Sequence, residues 1–408
     1  MRNEALNKKE KNFVYLTLFY IAYMIFPLVA DITNIPNYLP GILVVTISSL
    51  LYRRYLNGRP LRWLFIYIGV LFILGSIGHR VFINGLGHDV FYLWAIIVET
   101  AWILPSLMIM VIIINFNNYR VYKTVGMYSL CLLVVSFVYI LPLIYSSAGY
   151  LRSSQFSDDM TMRPIGLPGY ALMHAYTLVL LPLFWMVKNH RKNWQLISLA
   201  LSLLFVYIIN QTAVTTSLFI GIFILFFVML MNPYDTKAST MRFGILAVIL
   251  LVMYYTGVFL VIVDGLMPFF EGTAVEYKLI DMHDSMTLGH VTGDHLTVRM
   301  DVQKQSQEHF FANPIIGSGD AGGHSKIWDV LGTMGLAAGV PFLMTIWTSM
   351  KLWCRASVNK EMLYYVYAVF AAAFVFLYSK GLFSGEGWLF MTVIVPCIIM
   401  WQIYSKHN

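Results

Sequence analysis

Leu218-Phe219-Ile220-Gly221-Ile222-Phe223-Ile224-Leu225-Phe226-Phe227-Val228-Met229-Leu230-Met231 runs for fourteen residues without a charge or a hydroxyl, carboxamide or imidazole group. It has neither the period-two alternation of a barrel strand nor the polar stripe of a soluble amphipathic helix, so it reads as a helix that is apolar on every side. Similar runs of eighteen or more nearly uncharged residues recur from end to end. Each is long enough to cross a hydrocarbon core of ~30 Å as a helix. The chain of 408 residues is 59% hydrophobic, 16% aromatic and only 12% charged, about half the charged fraction usual in soluble domains. A water-soluble fold is excluded, and the expectation is an all-α polytopic membrane protein forming a single integral membrane domain over residues 1–408.

Polar breaks divide the chain into twelve expected spans, near 12–30, 38–56, 62–78, 89–115, 122–145, 169–187, 194–210, 213–231, 242–263, 326–350, 362–379 and 387–404. With the amino terminus inside, nineteen of the 27 Lys and Arg residues fall on inner segments. The other eight are Arg80, Arg152, Arg163, Lys278, Arg299, Lys304, Lys326 and Lys380. That bias puts both termini in the cytoplasm. It also accounts for the formal charge of +7 without a nucleic-acid partner. Phe13 to Ala30 is long for a signal-peptide core and is taken as a retained first helix. The three cysteines, Cys131, Cys354 and Cys397, lie in or beside apolar spans with no metal-ligand spacing.

Two external segments exceed ordinary helix connections, 146–168 and the large loop region 264–323 between the ninth and tenth helices, which is expected to be a partly helical lid. The lid holds nine carboxylates against Lys278, Arg299 and Lys304, so any cation aimed at an anion stands out there. Asp281, His283, Asp284, His290, Asp294 and His295 are dense, but no His-x-x-x-His or Cys-x-x-Cys pair supplies ligand spacing, and no metal is assigned.

Arg163 precedes Pro164-Ile165-Gly166-Leu167-Pro168-Gly169, a rigid and then flexible turn opening a span. A guanidinium held there can bind a phosphate bidentately, or simply anchor at the interface. His174 lies about three turns further along the same helix, where a buried hydrogen bond is its simplest role. Glu99 falls inside the fourth span, so it faces the bundle interior with a partner, lining a substrate groove, contacting an arginine or serving a hydrogen-bonded structural role. Gly335 and Gly339 read as a Gly-x-x-x-Gly helix-packing pair. Trp94, Trp102, Trp185, Trp194, Trp328 and Trp388 read as interface anchors near span ends. Phe310, Phe311 and Trp328 could instead stack on sugars.

The densest pattern spans 295–343: Arg299, an amphipathic stretch from Val302 to Phe311, Asn313-Pro314-Ile315-Ile316-Gly317-Ser318-Gly319, His324-Ser325 and Asp329. It combines a cation, a flexible turn and a titratable group. Gly317 and Gly319 can take positive φ and let N–H groups approach an anion. His324 sits where water would meet the bundle.

These residues, with Asp329-Val330-Leu331-Gly332-Thr333-Met334-Gly335-Leu336-Ala337-Ala338-Gly339, resemble the signature of the O-antigen ligase and Wzy polysaccharide polymerase superfamily. That signature has an arginine, Pro-apolar-apolar-Gly-x-Gly, His-Asn or His-Ser, and a Gly-Leu-x-x-Gly helix. Arg163 and Gly166 match its Arg-x-x-Gly. The chain departs at Asn210-Gln211-Thr212-Ala213-Val214-Thr215-Thr216-Ser217, where many members carry an arginine. Arg80 could supply that charge, or be an exposed loop residue. The resemblance implies a metal-independent glycosyltransferase at the outer face of the bacterial cytoplasmic membrane, without a cofactor. It would join undecaprenyl-pyrophosphate-linked repeats into a capsular, exopolysaccharide or O-antigen-type polymer. Donor and acceptor are both lipid-linked glycans, and a chain-length regulator is a further implied partner.

In that reading Arg163 and Arg299, with Arg80, Gly317 and Gly319, hold the pyrophosphate, His324 readies the acceptor hydroxyl, and Glu99, His174, Ser325 and Asp329 line the groove. A ligase that moves finished glycan is the alternative within the family. A lipid-linked oligosaccharide flippase is the rival from another class, opposed by the large lid.

Overall fold

Sequence that is apolar all round must satisfy its backbone internally, and in lipid a helix does this within one segment. The computed structural model of the chain describes residues 2–33, 35–36, 38–77, 92–147, 170–189, 192–211, 215–271, 276–288, 294–320, 323, 325–379 and 384–407. Among these residues there is no strand; the sole β-type contact is an isolated bridge between Arg2 and Asn118.

Seven helices among the described residues are long and apolar enough to cross a membrane. They occupy α4 (Arg59–Ser76), α5 (Tyr92–Phe116), α6 (Tyr119–Ser147), α11 (Thr236–Tyr255), α15 (Lys326–Ala356), α16 (Lys360–Ser379) and the continuous run formed by α17 (Gly385–Leu389), a single π turn and α18 (Val395–His407). The other expected spans are helical as well. The first is split at Phe26 into α1 (Lys8–Ile25) and α2 (Pro27–Thr33), with Asn7 and Glu10 forming a reciprocal capping box at the start. The second is α3 (Tyr38–Leu51). The sixth is α7 (Tyr170–Thr177) followed by α8 (Leu180–Asn189), and the next two are α9 (Lys192–Gln211) and α10 (Thr215–Leu230). The expected lid contains the end of α12 (Val258–Leu266), then α13 (Glu276–Leu288) and α14 (Asp294–Ala312).

The last helix is the axis of the bundle. Across its apolar window 89% is buried, against 6% for α11, whose apolar surface faces outward as a lipid-contacting helix must. A Cβ at Gly126 would lie 3.0 Å from the Cys397 carbonyl oxygen and the Ile398 Cα, so α6 and α18 approach backbone to backbone. Trp185 and Trp388 are core residues rather than interface anchors, each about 1% exposed. The Trp185 indole donates to Glu361 at 2.8 Å, a partner that span position alone could not reveal.

Basic helix ends are gathered at one end of the bundle. The Arg2 backbone bonds to Asn117 and Tyr119 at 3.0 and 2.8 Å, and Tyr52 donates to the Lys9 carbonyl at 3.0 Å. Tyr119 stacks on Tyr404 at 4.2 Å, and Lys406 reaches Glu361 at 3.6 Å and Asn189 at 3.0 Å. Lys188 donates to the carbonyls of Val228, Met229 and Met231 at 2.7, 3.2 and 2.7 Å, capping the C-terminus of α10 with a cation as the helix dipole favours.

Candidate functional site

The 313–339 pattern is built around a break in α15. Gly335 has φ +59° and ψ −160°, a conformation essentially closed to residues with a side chain. Such a break orphans carbonyls on its N-terminal side and N–H groups on its C-terminal side. The Pro-Ile-Ile-Gly-Ser-Gly turn supplies both sets of partners. Ser318 and Gly319 N–H donate to the Gly332 and Thr333 carbonyls at 2.9 and 3.0 Å. Leu336 and Ala337 N–H donate to the Pro314 and Ile315 carbonyls at 2.8 and 2.9 Å.

This changes the reading of the glycines. Gly317 and Gly319 do take positive φ, +73° and +76°. Their N–H groups, however, donate to the Asn313 and Thr333 carbonyls, so they are not turned to an anion as expected. A Cβ at Gly317 would lie 2.4 Å from the Thr333 carbonyl carbon and oxygen, so close approach of two backbones explains that glycine. Nor is Gly335 half of a helix-packing pair: it is the break itself. A Cβ at Gly339 would meet Leu331 of the same helix at 2.4 Å.

Beyond the turn the chain is pinned by Asp329. This carboxylate is 2% exposed and accepts from the Ser306 hydroxyl at 2.9 Å, Gly323 N–H at 3.1 Å and Ser325 N–H at 3.2 Å. Asp329 sits in the first turn of α15, where a carboxylate favours the helix dipole, and Ser325 caps the same helix by accepting from Trp328 N–H at 3.4 Å. Three elements are thereby joined: α14 through Ser306, the entering chain through Gly323 and Ser325, and α15. His324 lies outside the described residues, but the N–H groups of Gly323 and Ser325, its neighbours in sequence, are both held by one buried carboxylate. Arg299 lies on α14, which packs along α15; its side chain is outside the described residues.

One turn back, Lys326 and Glu99 form an ion pair of 2.8 Å whose side chains are 5% and 2% exposed. Lys326 also reaches the second Glu99 oxygen at 3.0 Å, and the Tyr67 hydroxyl donates to Glu99 at 3.2 Å. A carboxylate in a bundle interior needs compensating charge and hydrogen bonds, and here it receives both. The partner is a lysine that the sequence reading treated only as an outer charge. Two signals pointed to it: Glu99 needs a cation, and Lys326 follows the His-Ser pair at the opening of a span. Tyr67 and Ser306 gave no sequence signal. Next to this group the rings of Phe310, Phe311 and Trp328 cluster with centroids 5.3 to 6.5 Å apart, and Phe311 is exposed.

Among the described residues, His174 is not part of this cluster. His174 is buried on α7, with Nδ1 2.7 Å from the Ser217 hydroxyl and its ring against Phe376. Arg163 and Arg80 lie outside the described residues. Of the acidic and histidine-rich lid segment, His283 contacts Asp264 and Asp284 at 3.5 and 3.1 Å. No protein-family model matches the chain, and no curated protein matches it either.

Proposed function

We propose that the protein is a polymerase for lipid-linked glycans. It would have twelve spans, both termini in the cytoplasm, and its site at the outer face of a bacterial cytoplasmic membrane. The observation that carries this reading is the pinning of the chain on both sides of His324 by Asp329, on the helix whose break the Pro-Ile-Ile-Gly-Ser-Gly turn repairs. The two halves of the family-like motif thus meet as one unit, and the helix that opens just after His324 in sequence packs along the helix carrying Arg299.

In the reaction, the bond between the donor sugar C1 and the pyrophosphate oxygen breaks as the acceptor hydroxyl oxygen bonds to C1. His324 takes the hydroxyl proton, and Arg163 and Arg299 stabilise charge on the departing undecaprenyl pyrophosphate, each worth ~2 to 4 kcal/mol in a partly dehydrated site. Phe310, Phe311 and Trp328 offer apolar ring faces for sugars beside the segment.

The broken helix is also a feature of transporters, where unwound carbonyls face a substrate cavity. Here the Gly332 and Thr333 carbonyls are occupied by Ser318 and Gly319, which favours a structural break over a transport site. The test is reconstitution of the purified protein with a defined lipid-linked repeat and gel analysis of the product. A ladder that disappears in Arg299→Ala and His324→Ala supports the proposal. Transfer of finished glycan without a ladder indicates a ligase, and movement of repeats across the bilayer without bond formation indicates a flippase.

A further inference from the structure

At the basic end of the bundle, α4 and α15 enclose an open cavity of about 410 Å³ lined by Arg59, Arg62, Trp63, Met344, Trp347 and Lys351 among others. Its lining holds three cations and no carboxylate. Among the described residues no ion pair involves any of the three. Arg62 is oriented by the Asn57 carboxamide at 3.0 Å, and the Lys351 ammonium lies 4.8 Å from the centre of the Trp347 ring. Three unneutralised cations around one concavity call for a phosphate-bearing anion.

The apolar part of the lining decides what kind. Ile66 and Trp347 are 48% and 47% exposed on the outward faces of their helices, and Val340, one turn beyond Met344, is 43% exposed. Below its polar rim the cavity therefore opens onto surface that a bilayer covers with acyl chains. A soluble phosphate compound would leave that surface unused, whereas a phospholipid fills it with its tails while its headgroup meets the cations.

We propose that this cavity is a binding site for the headgroup of an anionic phospholipid in the leaflet contacting the basic end. The occupant is held by Arg59, Arg62 and Lys351, with the tryptophans at the headgroup level. The site is separate from the His324 region and does not depend on the activity assigned there.

The test is native mass spectrometry of the full chain in detergent, titrated with phosphatidylglycerol or phosphatidylcholine. Wild-type protein is expected to retain one phosphatidylglycerol at concentrations where phosphatidylcholine is lost. Retention should weaken about five-fold on removing one cation, as in Arg62→Gln or Lys351→Gln, and on the order of a hundred-fold in the Arg59→Gln/Arg62→Gln/Lys351→Gln variant. Arg53→Gln/Arg54→Gln removes two neighbouring cations that do not line the cavity and should retain the lipid. Equal weakening in that control, or no preference for phosphatidylglycerol, overturns the proposal. Displacement of the lipid by millimolar inorganic phosphate shows that phosphate alone fills the site, and overturns the assignment to lipid. The single variants serve if the triple variant does not fold.

Discussion

Removing Lys326 isolates Glu99 in a position where its carboxylate is 2% exposed and, among the described residues, Tyr67 alone remains to hydrogen-bond it. Breaking a buried pair from one side costs ~3 to 5 kcal/mol. With an unfolding entropy near 2.1 cal/mol/K per residue, that loss corresponds to about 4 to 6 °C for a chain of 408 residues. The double variant Lys326→Met/Glu99→Gln removes the buried carboxylate and should recover most of the loss. Thermal unfolding in detergent, followed by tryptophan fluorescence for wild type, both single variants and the double variant, measures this. Equal destabilisation of Lys326→Met and the double variant would refute the pairing of Lys326 with Glu99.

Alanine at Gly335 or Gly317 should be far more damaging than alanine at Gly69, although all three are glycines of apolar sequence. A Cβ at Gly335 would sit 2.5 Å from the Ile315 carbonyl, and at Gly317 2.4 Å from that of Thr333, so either change should cost more than ~3 kcal/mol and reduce the yield of monodisperse protein. Nothing lies within 4 Å of a Cβ at Gly69, and Gly69→Ala should stabilise α4 by ~0.5 to 1 kcal/mol, read as a small rise in Tm. Asp329→Ala strips the acceptor from Ser306, Gly323 and Ser325 and should cost ~2 to 4 kcal/mol. Faster proteolytic cleavage around Gly323 would register it even where the bundle stays folded.

Helix content was plain from sequence because uniform apolarity over long runs leaves one backbone solution in lipid. The 326–350 and 362–379 spans matched α15 and α16 closely, since Lys326 and Lys360 mark abrupt polar starts. Interruptions were harder to see. The divide between α1 and α2 at Phe26, and that between α7 and α8 near Leu178, fall inside continuously apolar sequence, where hydropathy is silent about geometry. In the candidate site, Asp329 and Ser325 stood out by residue type and spacing. Gly317 and Gly319 were noticed for the right conformation and the wrong reason. Positive φ suits an anion-facing turn and a backbone-to-backbone contact equally, and only the tertiary placement of Gly332 and Thr333 separates the two. The Lys326–Glu99 pair joins positions 227 apart in the chain, beyond the reach of local pattern.

The repaired break also sets how this region can change over evolutionary time. Residues 320–331 form an excursion whose two feet are stitched together in fixed register, 318 and 319 to 332 and 333. One residue gained or lost between the feet must be absorbed inside the excursion or it unpicks the stitches. Within it Ser325, Lys326 and Asp329 are tied by their side chains, so at those positions identity is held along with place. Variation in length is left to the longer connections upstream of Asp294.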